Sequence, residues 1–123
     1  MRAPITEIPI ELQAGDLETR GTEWGDLSVR HCDLPAGADL RPLLKGLPDD
    51  RCSCPHWGFV FSGSIHLRYA DGTEEVTTAG EAFYWPGGHT GWTDEGVVFV
   101  EFSPAAEIKP VLEHLAQQLA GAS

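Results

Sequence analysis

The sequence predicts an all-β antiparallel sandwich or barrel followed by a single C-terminal helix. Three observations carry that prediction. Short apolar and β-branched runs recur between residues 24 and 103, separated by turn signals such as Pro35-Ala36-Gly37, Asp71-Gly72 and Ala79-Gly80. No long helical periodicity occurs within that region. Beyond it, Ile108, Val111, Leu112, Leu115 and Leu119 fall at helical spacing, which predicts one amphipathic helix over 107–120 with Pro110 near its start.

Taken in order, residues 5–12 mix apolar and acidic side chains around Pro9, which suits an edge strand or an arm not paired on both sides, so 1–20 reads as an N-terminal arm or edge strand. Gly15-Asp16 and Gly21-Thr22 read as loop punctuation. Residues 24–34 read as a strand with Leu27, Val29 and His31 on one face and Ser28, Arg30 and Cys32 on the other. A turn at 35–39 leads to one short helical turn within 40–47, ended by Pro48-Asp49-Asp50. Residues 57–61 resemble a buried strand that Ser62-Gly63 closes with a turn. The next strand alternates Ile65, Leu67 and Tyr69 inward against His66 and Arg68 outward. Asp71-Gly72 is the strongest hairpin signal, with 73–78 as the returning strand. Residues 82–85 and 97–102 supply further strands, on either side of the bend Pro86-Gly87-Gly88-His89.

The 123 residues suit a single domain, 1–123, with its barrel over 24–103. Nineteen acidic against eight basic side chains give a net charge of -11, which disfavours nucleic acid and anionic membrane as partners. The N-terminus lacks the apolar core of a secretory signal and no run is long enough to span a bilayer, so a cytoplasmic location is expected. Three cysteines, an odd number, fit thiols or metal ligands in a reducing compartment. Adjacent same-face positions do not suit a Cys52–Cys54 bridge, and Cys32 reads as core.

The chemistry gathers in Arg51-Cys52-Ser53-Cys54-Pro55-His56-Trp57-Gly58. If this stretch is extended, Cys52, Cys54 and His56 share a face, and His89 is the best candidate for a fourth donor. Thiolates and imidazoles together suit Zn or another late divalent ion. The competing reading makes the cysteines small buried hydrophobes and His56 a hydrogen-bonded core residue. Metal binding is preferred because two Cys and a His recur at even spacing. Among the other candidates, His66 and His114 read as surface residues and His31 as a core histidine. Glu101 either meets the metal or a buried partner, or points outward from an edge strand; the outward position is preferred. Trp57, Phe59, Trp85 and Trp92 bracket the two segments and form either core or the lining of a pocket for a small apolar ligand. No phosphate loop, nucleophile elbow or paired C-x-x-C knuckle is present.

On these residues, 50–89 resembles the two motifs of the cupin family. His56 stands where the first motif has its Glu, with Gly63 at the family's interval after it. Cys52 then falls on the second His position and Asp50 on the first. Gly80, Pro86 and Gly88 resemble the second motif, with His89 earlier than usual. The run Cys-x-Cys-Pro-His-Trp-Gly is similar to that of small bacterial single-domain cupins. The resemblance implies a jelly-roll barrel (a double-stranded β-helix), often a homodimer, with a metal between the motifs. Thiolate ligation in place of His/His/Glu favours Zn, with Fe, Ni, Cu and Mn also open. The function expected is metal-dependent chemistry on a small organic molecule. The alternatives are a non-catalytic module that binds or senses a metal or small ligand, and a barrel with an empty site. Four protein ligands would close a tetrahedral ion and three would leave a position for substrate.

Overall fold

In the computed structural model, which describes residues 1–121, the chain runs β1 (Ile10–Ala14), β2 (Leu17–Trp24), β3 (Leu27–Leu34), α1 (Arg41–Leu44), β4 (His56–Tyr69), β5 (Glu74–Thr78), β6 (Ala82–Trp85), β7 (His89–Trp92), β8 (Val97–Pro104) and α2 (Ala105–Gly121). Residues 122 and 123, inside the expected domain 1–123, lie outside the described residues. All strand pairs are antiparallel, in the order β1-β2-β3-β8-β4-β5, with β6 and β7 also pairing β4. Strand β4 is the hub. Its first half pairs β6 and β8 and its second half pairs β5 and β7, so one strand belongs to both sheets and holds the barrel together.

The expected turn at Ser62-Gly63 is a bulge inside β4 instead. Pairing with β8 slips between Val60 and Ser62, and Gly63 has φ +74 with no room for a Cβ, which would lie 1.9 Å from the Gly96 carbonyl oxygen. The inserted residue reverses the facing parity. His56 and Val60 point inward before it, and Ile65 and Leu67 after it. The expected loop at Gly15–Thr22 is also corrected: β2 occupies it, entered by a two-residue turn at Gly15-Asp16, and half of the expected arm is therefore sheet. The polar alternation of Leu17-Glu18-Thr19-Arg20 hid this strand, whose inward Thr19 is 4% exposed.

Cys32, Leu34, Val60, Ile65, Leu67, Trp85, Val97 and Phe99 form the barrel core. Helix α2 begins two residues before the expected 107 and turns Ile108 and Val111 onto Leu44, Cys52 and Cys54, so its apolar stripe covers one end of the barrel. Half-buried His114, expected on the surface, links α2 to the segment after α1, with Nε2 2.8 Å from the Lys45 carbonyl oxygen. Among the described residues no helix is long and apolar enough to cross a membrane.

Candidate metal centre

Cys52 reaches the centre through a backbone clamp. Its N–H donates to the His89 carbonyl (2.9 Å), and the Gly88 and His89 N–H groups donate back to the Cys52 carbonyl (2.7 and 3.2 Å). The approach requires a bare Gly87, since a Cβ there would lie 2.2 Å from the Ser53 carbonyl oxygen. The glycine bend thus presents His89 and also fixes the facing loop. His56, the first residue of β4, points inward from the adjoining wall.

Cys52 Sγ and one ring nitrogen each from His56 and His89 lie within 4.8 Å of one another, and all three residues are buried. Cys52 Sγ is 3.5 Å from His56 Nε2, and the two imidazole centroids are 4.9 Å apart. The far side of each ring is held by a further group. His89 Nδ1 is 2.8 Å from the Pro86 carbonyl oxygen. A carbonyl only accepts, so Nδ1 carries the proton and Nε2 keeps a free lone pair. His56 Nδ1 is 2.6 Å from Ser103 Oγ and 3.6 Å from Glu101 Oε2. A carboxylate behind the ring favours a proton on Nδ1 and leaves Nε2 facing Cys52.

Burial lowers the pKa of His56, and burial with the neighbouring His56 lowers that of His89 to about 4. Both rings are neutral near pH 7, which is the ligating form. Burial pushes the Cys52 thiol up to about 12, so a metal must displace its proton to bind there. These donors, two oriented neutral imidazoles and one thiol, are the set a late divalent ion takes.

Glu101 corrects the expectation of an outward carboxylate on an edge strand. Strand β8 lies between β3 and β4, and Glu101 faces inward at 4% exposure. Its register partner on β3 is Arg30, 5% exposed, whose guanidinium is ion-paired to Glu101 and places Nε 2.8 Å from Glu11 Oε1. Burial opposes the charge of Glu101, but His56, Arg30 and His89 outweigh it and its pKa falls below the usual carboxylate value. With both imidazoles neutral, Arg30 is the full positive charge that keeps Glu101 ionised. Arg30 and Ser103 were not singled out in the sequence. The available signal was their parity, because both share an inward face with a buried neighbour of the same strand.

Cys54 does not join the other donors. Its Sγ lies 3.4 Å from the Pro55 carbonyl oxygen, and its side chain packs with Leu44, Ile108 and Val111. A shared face for residues 50–56 requires an extended chain, but the strand starts only at His56. Residues 48–50 form a 3-10 turn, with Asp49 and Asp50 at φ 58 and 55. Asp50 therefore accepts the Gly46 N–H (2.9 Å) instead of facing the cluster.

The remaining candidates lie elsewhere. His31 is on the outer face of β3, stacked on Phe61 at 6.3 Å, rather than in the core. His66 faces outward as expected, stacked on Trp92 and 3.2 Å from Asp94 Oδ2. Trp85 is core, whereas Trp57 and Phe59 lie on the outer surface.

The donors stand on the wall of a cavity of about 90 Å³. Leu34, Leu44, Ile65, Leu67 and Phe99 line much of the rest, and Val111 belongs to the wall contributed by α2. Fold and site together define a small antiparallel β-barrel with a Cys/His/His cluster able to hold a metal ion.

No protein-family model matches the sequence, and no curated protein is similar to it in sequence. Among solved structures the chain is similar to an RmlC-like cupin from Shewanella frigidimarina, with TM-score 0.59 and 20% identity over 84% of this chain and 89% of that one. It is also similar to oxalate decarboxylase from Bacillus subtilis, with TM-score 0.58 and 16% identity over 81% of this chain. This chain spans only 28% of that enzyme. A third similar structure is a putative ethanolamine utilization protein from Salmonella typhimurium, with TM-score 0.54, 14% identity and coverage of 72% and 70%. The architecture is the cupin-type β-barrel, and at these identities the likeness concerns the fold.

Proposed function

We propose that this chain is a metal-binding cupin that carries out metal-dependent chemistry on a small, largely apolar organic molecule. The observation that carries the reading is the convergence of Cys52, His56 and His89 on a cavity wall that is otherwise mostly apolar. Cys52 Sγ, His56 Nε2 and His89 Nε2 are the proposed ligands, and one sulfur with two imidazoles makes Zn the preferred ion over Fe, Ni, Cu or Mn. Three protein ligands fall one short of a tetrahedral set. Bound there, the ion would supply Lewis-acid polarisation of a substrate oxygen or a water of lowered pKa. The protein's own part is to hold both rings by Nδ1, to keep Glu101 charged behind His56, and to limit water with apolar walls.

A non-catalytic binding or sensing module is the second reading. It is favoured by the small cavity and by Cys54, 1% exposed and two residues from Cys52, which would close the coordination sphere if its side chain turned inward.

Metal analysis and the spectrum of the cobalt-substituted protein separate these readings. The enzyme reading expects one equivalent of ion, lost in Cys52→Ser, His56→Ala and His89→Ala and retained in Cys54→Ser, with cobalt bands that shift when azide or acetate is added. A four-ligand module would lose its ion in Cys54→Ser as well and would ignore added anions. Full metal content in all four variants would remove the site.

A further inference from the structure

We propose that the face of the Cys52–His89 clamp turned away from the Cys/His/His cluster is a binding site for a small oxyanion, a phosphate or carboxylate group, held by Arg51, Thr90 and Arg68. The clamp is an antiparallel bridge, so Cys52 opposite His89 sets Arg51 opposite Thr90. Arg51 is extended (φ -135, ψ 160) and Thr90 belongs to β7, so both side chains leave the face opposite to that of Cys52 and His89. On its other side Thr90 is the register partner of Arg68 in β4. One cross-strand row therefore reads Arg51, Thr90, Arg68, a hydroxyl residue between two arginines. Trp92, two residues further along the same face, holds the second of them, with the Arg68 guanidinium carbon 5.0 Å from the indole centroid.

Two observations point to an anion. Among the described residues, the buried side-chain polar atoms without a hydrogen-bond partner are Arg51 Nε and Thr90 Oγ1, one from each side of this single pair. Thr90 is 5% exposed, so its hydroxyl has no bulk water to turn to. The second observation is charge. Arg20, Arg30, Arg41 and Arg68 are each ion-paired to a carboxylate, and Arg2 is exposed near the N-terminus. Arg51 is half-buried and has no carboxylate partner among the described residues, although the chain carries nineteen acidic side chains. The free Nε edge of a guanidinium presents two parallel N–H groups, which two oxygens of a carboxylate or phosphate accept together, and the Thr90 hydroxyl can donate to the same group. Arg68 can turn toward it at little cost, because its pair with Glu74 is 40% and 51% exposed. A water could meet Arg51 Nε and Thr90 Oγ1 but would leave the Arg51 charge uncompensated.

The test uses metal-free protein, so that its outcome is independent of the metal centre. Inorganic phosphate and acetate are titrated separately, with sodium chloride at equal ionic strength as the reference. The arginine Nε–H signals are followed by NMR and the melting temperature by calorimetry. The Arg51 Nε–H signal should shift and saturate at about millimolar anion, and the melting temperature should rise as the site fills. Thr90→Val and Arg51→Gln should each weaken binding about tenfold or more, and Arg68→Gln less. Arg51→Lys should weaken it about as much as Arg51→Gln, because it keeps the charge and loses the paired N–H edge. Arg51 is only half-buried, so its variants keep the test intact if Thr90→Val does not fold. Saturation by phosphate at the lower concentration assigns a phosphorylated ligand and saturation by acetate a carboxylate; either supports the site. The absence of a saturable response in the wild type, the result expected if these atoms hold an ordered water only, would overturn the proposal. So would a response that tracks ionic strength alone or that persists in all four variants.

Discussion

Replacing Arg30 by Met should destabilise the metal-free protein by an amount set by pH, because the residue left behind is a buried carboxylate. Glu101 is 4% exposed and its other close neighbour, His56 at 3.6 Å, is neutral. Breaking a buried pair from the cationic side costs about 3–5 kcal/mol. Glu101 has a way to limit that cost, which is to take up a proton. From the ordinary value of 4.5, protonation at about pH 7.5 costs about 4 kcal/mol, and at about pH 5.5 only about 1.4 kcal/mol. The Arg30→Met penalty should therefore shrink by about 1.4 kcal/mol for each pH unit between these limits, as the folded variant holds a proton that the unfolded chain releases.

Glu101→Gln should be milder, about 1–3 kcal/mol, since Arg30 keeps its 2.8 Å contact with Glu11. The double variant Arg30→Met/Glu101→Gln should be more stable than Arg30→Met alone at about pH 7.5, because no uncompensated charge remains inside. Urea unfolding followed by circular dichroism at several pH values, with chelator present, measures all of this. An Arg30→Met penalty independent of pH, or a double variant less stable than the single, would refute the account of Glu101 as a carboxylate kept ionised by Arg30.

Three further outcomes follow from the site and the barrel. Metal binding should release one proton per ion between about pH 6.5 and 8, so that affinity rises about tenfold per pH unit; calorimetry in buffers of different ionisation enthalpy measures it, and the proton comes from the Cys52 thiol, raised to about 12 in the free protein. His89, lowered to about 4 from 6.5, should contribute stability that is complete above about pH 6.5 and falls by about 3 kcal/mol as pH drops to about 4, because the unfolded chain binds the proton first. An NMR titration of the His89 ring in metal-free protein should show the low pKa directly. Gly58→Ala should cost more than about 3 kcal/mol or prevent folding, since its Cβ would lie 2.0 Å from the Val100 carbonyl oxygen of the paired strand; a thermal melt within a few degrees of wild type would contradict that.

The parts of the fold legible in sequence were those where local chemistry and tertiary environment agree. Asp71-Gly72 gives the hairpin between β4 and β5, alternation places Ile65 and Leu67 inward, and the spacing of Ile108 and Val111 gives α2. Strand β2 was not legible because it is polar on both faces and interrupted by Gly21, so only its pairing with β1 and β3 reveals it. The Cys/His/His cluster was legible in its composition, and the structure brings three of its four expected members together. Cys52, His56 and His89 converge, but through a loop clamped on Gly87 and Gly88 rather than along one strand face, and a period of two assigned Cys54 to a face that does not exist.

The misplacement of Glu101 has a more general cause. A carboxylate in the apolar run 97–102 and an arginine in the run 27–34 each look, in isolation, like an outward residue, since neither strand by itself supplies a reason to bury a charge. Within each strand, however, parity already argues against that reading: Phe99 and Val97 share the face of Glu101, and Cys32 and Leu34 share the face of Arg30. Two charges of opposite sign, each on the apolar parity of its own strand, are mutually explanatory once β3 and β8 are paired, for the register then sets Arg30 directly across from Glu101. The same register sets Ser28 opposite Ser103, one inward step further along. Thus the polar groups behind His56 belong to one cross-strand ladder, and what reads along the chain as isolated exceptions is, across the sheet, the internal polar wall against which the imidazole is oriented.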